Sequence, residues 1–140
     1  MTIKEHNKHL SYLKMASEWS VNSCCNRKKV GALIVKDQMI ISDGYNGTPS
    51  GFNNDCEDMD GNTNWYVLHA EANAITKLAK NPSGTAEGST LYVTLSPCTE
   101  CSKLIIQTGI KKLFYKEEYR DTKGLLILKE AGIQIQQLNY

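Results

Sequence analysis

The chain is poor in the features that mark specialised protein classes. Its charges nearly cancel, 16 Lys and Arg against 15 Asp and Glu for a net +1. That argues against a partner held mainly by backbone electrostatics, so no nucleic acid is expected. No apolar run approaches the roughly 20 residues that a membrane helix needs, so no membrane partner is expected either. The stretch Met1 to His6 lacks the apolar centre of a secretory leader. Repeats, low-complexity tracts and Pro/Gly-rich linkers are missing, and 140 residues are expected to form a single domain spanning 1–140. The cysteine count of five is odd, which speaks against a disulfide framework and for a reducing cytoplasm.

Apolar spacing supplies the elements. Leu10, Leu13, Met15, Ala16 and Trp19 recur at helical intervals over residues 5–20. Strands follow at 30–35 and 39–45 across the polar turn Lys36-Asp37-Gln38. Residues 44–64 are rich in Gly, Asn and Asp, a loop too long to be idle in a compact domain. A helix is expected over 69–79, ended by Asn81-Pro82-Ser83-Gly84, then a strand over 89–95 with Leu91, Val93 and Leu95 on one face. Pro97 opens a helix that stops at Gly109; a strand at 110–115, a helix at 122–131 and a strand at 133–137 complete the chain. The alternation implies an α/β fold, a three-layer α/β/α arrangement on a mixed five-stranded sheet, largely parallel in its second half.

Two short stretches carry the chemistry, His69-Ala70-Glu71 and Ser96-Pro97-Cys98-Thr99-Glu100-Cys101. Cys98 and Cys101 are spaced to grip one ion from the first turn of a helix, and the His69 imidazole completes three ligands that suit Zn²⁺. No fourth Cys or His adjoins either motif, so one coordination position is left for water, as in catalytic rather than structural zinc sites. Glu71 stands where a general base for that water is wanted. Both motifs begin helices, whose N-terminal partial charge and free N–H groups stabilise thiolates. The pattern H-x-E followed by P-C-x-x-C resembles the signature of zinc nucleobase deaminases.

Blander readings exist for each part. A lone CxxC also occurs in redox motifs and zinc ribbons, but a ribbon needs a second Cys pair, which Cys24, Cys25 and Cys56 do not supply. Those three are expected to be small buried hydrophobes. With only His6 and His9 left over, a second metal site is not expected. Lys28 and Lys29 read equally well as a solvated basic turn.

The zinc motifs resemble the cytidine deaminase-like superfamily. Arg27-Lys28-Lys29-Val30-Gly31-Ala32, Gly44-Tyr45-Asn46-Gly47-Thr48-Pro49-Ser50-Gly51 and Lys103 through Ile110 extend the likeness over nearly the whole chain, toward the deoxycytidylate (dCMP) deaminases. The resemblance implies zinc-dependent hydrolysis of dCMP to dUMP and ammonia, which supplies dUMP for thymidylate synthesis. It implies one catalytic Zn²⁺ on His69, Cys98 and Cys101, with Glu71 as proton shuttle. Asn46 would contact the sugar, the backbone at Ala70 and Ser96 the pyrimidine edge, and Tyr119 the nucleotide. Arg27, Thr48 and Arg120 would be phosphate contacts. The family further implies a homohexamer with dCTP and dTTP as effectors, Mg²⁺ accompanying the nucleotide, and Gly44, Tyr45, Asn46 and Gly47 contributing to the effector site. The segment between Cys56 and His69 has no histidine, which disfavours the extra structural zinc of some members. Two kinds of alternative stand beside this reading. One is a deaminase of free cytidine, guanine or tRNA adenosine. The other is a zinc-stabilised binding module, for which Glu71 would have no use.

Overall fold

The computed structural model describes residues 1–82 and 84–140; Ser83, expected in the stop of the second helix, lies outside the described residues. The first helix, α1 (Ile3–Ser20), opens on a capping box: the Thr2 hydroxyl accepts from Glu5 N–H while the Glu5 carboxylate accepts from Thr2 N–H. Leu13 and Ala16 are buried, but Met15 and Trp19, assigned to the same face by spacing, stay exposed. Trp19 instead meets the Tyr45 ring edge-on at 5.9 Å. Gly31 explains how closely α1 lies: a Cβ there would stand 2.0 Å from the Ala16 carbonyl oxygen.

Strands β1 (Gly31–Lys36) and β2 (Met39–Tyr45) form a hairpin whose Asp37 and Gln38 both have positive φ, the conformation of a tight two-residue turn. Helix α2 (Ala70–Ala79), strand β3 (Thr90–Leu95), helix α3 (Thr99–Thr108), strand β4 (Lys112–Glu117), helix α4 (Lys123–Glu130) and strand β5 (Gln134–Gln137) follow. The sheet order is β2-β1-β3-β4-β5, with β1 antiparallel to both neighbours and β3, β4 and β5 mutually parallel. The expected mixed five-stranded α/β/α architecture is the one found.

Period-two alternation divides the core between the two faces of this sheet. Ala32, Ile34, Leu91, Val93, Leu113 and Tyr115 pack under α2, α3 and α4. Leu33, Val35, Tyr92 and Phe114 point the other way, under Leu13 and Ala16 of α1. The fourth strand begins two residues later than its apolar run, because Ile110 is buried in the core outside the ladder and Lys112 is the residue that pairs with Thr90. Gly109 closes α3 in the left-handed conformation, φ 82°, as its position after the periodic run implies.

Candidate active site

The sheet brings the two motifs together at the N-termini of adjacent helices. His69 is the N-cap of α2 and Cys98 the N-cap of α3, so both precede a first turn with free N–H groups. The Cys98 sulfur accepts from Cys101 N–H at 3.5 Å, doing for this helix what a Ser or Asp oxygen usually does. His69 Nδ1 lies 3.4 Å from Cys98 Sγ and 3.4 Å from Cys101 Sγ. Tetrahedral zinc, with Zn–N near 2.0–2.1 Å and Zn–S near 2.3 Å, requires an N···S separation of about 3.6 Å. The donor set therefore fits one such ion. His69 is exposed, Cys98 half-buried and Cys101 buried, so the cluster is reached from the His69 side.

Protonation tells the same story. The hydrogen bond from Cys101, and then that from His69, pull the Cys98 thiol down to about 4 against the opposing effect of burial. Cys101 is driven upward by its bond to the Cys98 sulfur and by burial, and His69 upward by its bond to Cys98. The Cys98 sulfur is thus the acceptor that both neighbours face, a place a dication can take. Glu71, 4% exposed, is pushed up to about 7, chiefly by burial. The Cys98 charge adds to that rise, while its own backbone N–H and the His69 charge oppose it.

The residues expected to handle substrate are placed less uniformly. Ala70 is fully buried in the first turn of α2. Ser96 accepts from Tyr119 N–H at 2.7 Å, tying the segment after β4 to the loop that carries Cys98. The Asn46 amide is spent on the chain: it accepts from Val30 N–H at 2.9 Å and donates to the Lys28 carbonyl at 2.8 Å. Thr48 donates its hydroxyl to the Asn53 carbonyl at 2.6 Å. The Arg120 guanidinium lies 5.8 Å from the Tyr119 ring centre, and Lys28 is paired with Glu117.

Two cavities flank this frame, and none of the cluster residues lines either. One of about 420 Å³ is bordered by Arg27, Cys24, Cys56 and Glu57, the last accepting from the backbone N–H groups of Asn26 and Arg27. Another of about 390 Å³ collects Gly44, Tyr45, Gly47 and Thr48 with Trp19, Lys77 and Lys80. Arg27 and Thr48, expected at one phosphate, thus open onto different cavities. Lys77 and Lys80 were not singled out from sequence; their i, i+3 spacing at the C-terminal end of α2, with Lys80 as its C-cap, was the available signal.

The cysteines outside the motif depart from expectation. Cys25 and Cys56, 31 residues apart, form a disulfide, and Cys24 Sγ lies 3.6 Å from Cys56 Sγ. Burial was expected and is found for Cys25 and Cys56; the bond was not, because only the folded loop brings them within reach.

An α/β/α sandwich with a His and two Cys at adjoining helix N-termini and a buried glutamate two residues from the His defines a metal-binding protein of cytidine deaminase-like fold. The family model of the cytidine and deoxycytidylate deaminase zinc-binding region matches residues 5–117, and the chain belongs to that family. It is 38% identical over 166 residues to the deoxycytidylate deaminase of Enterobacteria phage T4, covering 88% of this chain and 86% of that protein. It is 34% identical over 139 residues to the deoxycytidylate deaminase of Saccharomyces cerevisiae, spanning 92% of this chain but only 44% of the yeast protein. The crystal structure of the cyanophage S-TIM5 dCMP deaminase with dCMP and dUMP superposes with a TM-score of 0.92 at 46% identity, covering 99% of both chains.

Proposed function

We propose that this protein hydrolyses dCMP to dUMP and ammonia at a single zinc centre held by His69, Cys98 and Cys101. The observation that carries the reading is the buried Glu71 beside a three-donor cluster, in a chain that matches a dCMP- and dUMP-bound enzyme end to end. Bound zinc supplies a water activated toward hydroxide near neutral pH. With zinc held by His69, Cys98 and Cys101, Glu71 would accept a proton from water as its oxygen bonds to the amine-bearing carbon, deliver that proton to the ring nitrogen, and carry the second to the amine as the C–N bond breaks. Burial raises the Glu71 pKa in the metal-free protein and a bound dication would lower it again, so a carboxyl in this place both accepts and releases protons. The backbone at Ala70 and Ser96 borders the cluster in sequence and orients the pyrimidine edge. Tyr119, fastened to Ser96, faces the nucleotide, and Arg27 and Arg120 are the proposed phosphate contacts; Thr48 borders the other cavity.

The cavity beside Gly44, Tyr45 and Gly47 supports an effector site for dCTP or dTTP with Mg²⁺. Lys80 supplies positive charge toward a triphosphate, while Lys77 is paired with Asp43 at 2.7 Å on the same wall and would have to exchange that partner for phosphate. Asn46 acts there through the backbone it holds. A homohexamer is the proposed assembly. The reading is tested by ammonia release from dCMP, dCTP, cytidine and deoxycytidine with the zinc-loaded protein. Turnover of dCMP above the other three is expected; preferential turnover of a free nucleoside would move the protein to another branch, and no turnover of any would favour a zinc-stabilised binding module.

A further inference from the structure

Helix α4 contributes no ligand, yet its second residue sits directly on the loop that does. Gly124 is buried in the first turn of α4, and glycine is a poor helix former. Its φ is not in the left-handed region, so backbone conformation does not explain the residue. Space does. A Cβ at this position would stand 2.5 Å from the Pro97 carbonyl oxygen, 2.6 Å from Ser102 Oγ and 2.9 Å from the Cys98 carbonyl oxygen.

Two of those three atoms are backbone, in the peptide units on either side of the Cys98 ligand. The loop has little freedom to step aside. Pro97 is fully buried, Ser96 is tied to Tyr119 and Glu117, and the Cys98 carbonyl already accepts from Ser102 N–H at 2.9 Å. Real Cβ atoms keep at least 3.0 Å from such neighbours, so relieving the 2.5 Å contact requires α4 and the Cys98 loop to part by 0.5 Å or more. Metal ligation tolerates displacements of only about 0.2 Å in ligand distance. The same parting in an ordinary helix–loop contact would be absorbed as packing; here it removes the seat of α4 on the two peptide units that carry Cys98.

We propose that Gly124 is a positioning residue for the metal centre: by lacking a side chain it lets α4 seat on the Pro97 and Cys98 carbonyls and so fixes the place of Cys98 Sγ. The proposal rests on the zinc reading above. Leu128 supplies the contrast, because it lies in the same helix, is fully buried, and packs in the general core.

The test measures zinc affinity by competition with a chromophoric chelator, alongside thermal unfolding of each zinc-free protein and the Co²⁺-substituted absorption spectrum. Gly124→Ala is expected to weaken zinc binding at least tenfold and to change the thiolate-to-cobalt band. Leu128→Ala is expected to lower the melting temperature while zinc affinity stays within twofold of wild type. Ser102→Ala added to Gly124→Ala should not restore affinity, since the two carbonyls still obstruct the Cβ. Unchanged affinity in Gly124→Ala overturns the proposal, as do recovery in the Ser102→Ala combination and an equal loss in Leu128→Ala. A Gly124→Ala protein that stays unfolded with zinc present also overturns it, making Gly124 a determinant of the fold instead. Wild-type protein that binds no zinc would sink the zinc reading itself, a result distinct from all of these.

Discussion

Burying Glu71 should make the zinc-free protein less stable as pH rises, and Glu71→Gln tests that effect. An unfolded chain carries this carboxyl at its ordinary value of 4.5, whereas the fold raises it to about 7. Between those values the folded protein binds the proton that the unfolded chain has released, so folding stability falls with rising pH. The contribution is fully present below about pH 4.5 and is lost as pH passes through about 7. A shift of that size corresponds to about 3 kcal/mol at roughly 1.4 kcal/mol per pH unit, a large part of a typical domain's 5–15 kcal/mol. Urea denaturation of zinc-free wild type and Glu71→Gln at several values from pH 5 to 8 measures it. The difference between the two curves should grow with pH in favour of Glu71→Gln, and it includes the response of His69 and Cys101 to the loss of the Glu71 charge. The zinc-loaded Glu71→Gln protein should at the same time lose about 10²–10⁴-fold in turnover. Parallel stability curves across this range would refute the assignment of Glu71 as a buried, proton-holding carboxyl. Ready turnover by the variant would refute its role in proton transfer.

Other expectations can be checked directly. Metal analysis should give close to one zinc per chain and fall sharply in Cys98→Ala; a value near two would mean that Cys24, Cys25 and Cys56 bind metal too, against the disulfide that leaves one free thiol among them. The ratio of kcat/KM for dCMP over deoxycytidine should be at least about a hundredfold, two charge-assisted phosphate contacts at about 1.5–3 kcal/mol each. Arg27→Ala and Arg120→Ala, assayed with saturating dCTP, should reduce that ratio, and equal efficiency on both substrates would remove the phosphate site. Gly31→Ala should lower the melting temperature strongly, because its Cβ would lie 2.0 Å from the Ala16 carbonyl, whereas overpacking of ordinary cores costs about 1–3 kcal/mol.

The local sequence determined most of the elements and brought out the His69, Cys98 and Cys101 donor set that the fold assembles. Period-two and period-3.6 apolar spacing sort side chains into faces without reference to distant residues, so the five strands and four helices were legible, with ends shifted by one or two residues. The cluster was legible for a related reason. Cys98 and Cys101 lie within one helical turn, and His69 announces itself with Glu71 at a helix start, so short-range geometry already constrains the donors.

Only the tertiary structure decided what depends on long-range approach. It set Cys25 against Cys56 across 31 residues and turned the Asn46 amide to the β1 lead-in. It separated Arg27 from Thr48 and left Trp19 at the surface beside Tyr45. The elevated Glu71 pKa belongs here too, since burial is a property of the assembled core and not of the motif. So does Gly124: an absent side chain leaves no mark in a hydrophobic pattern, and its meaning appears only when α4 comes to rest on the carbonyls around Cys98.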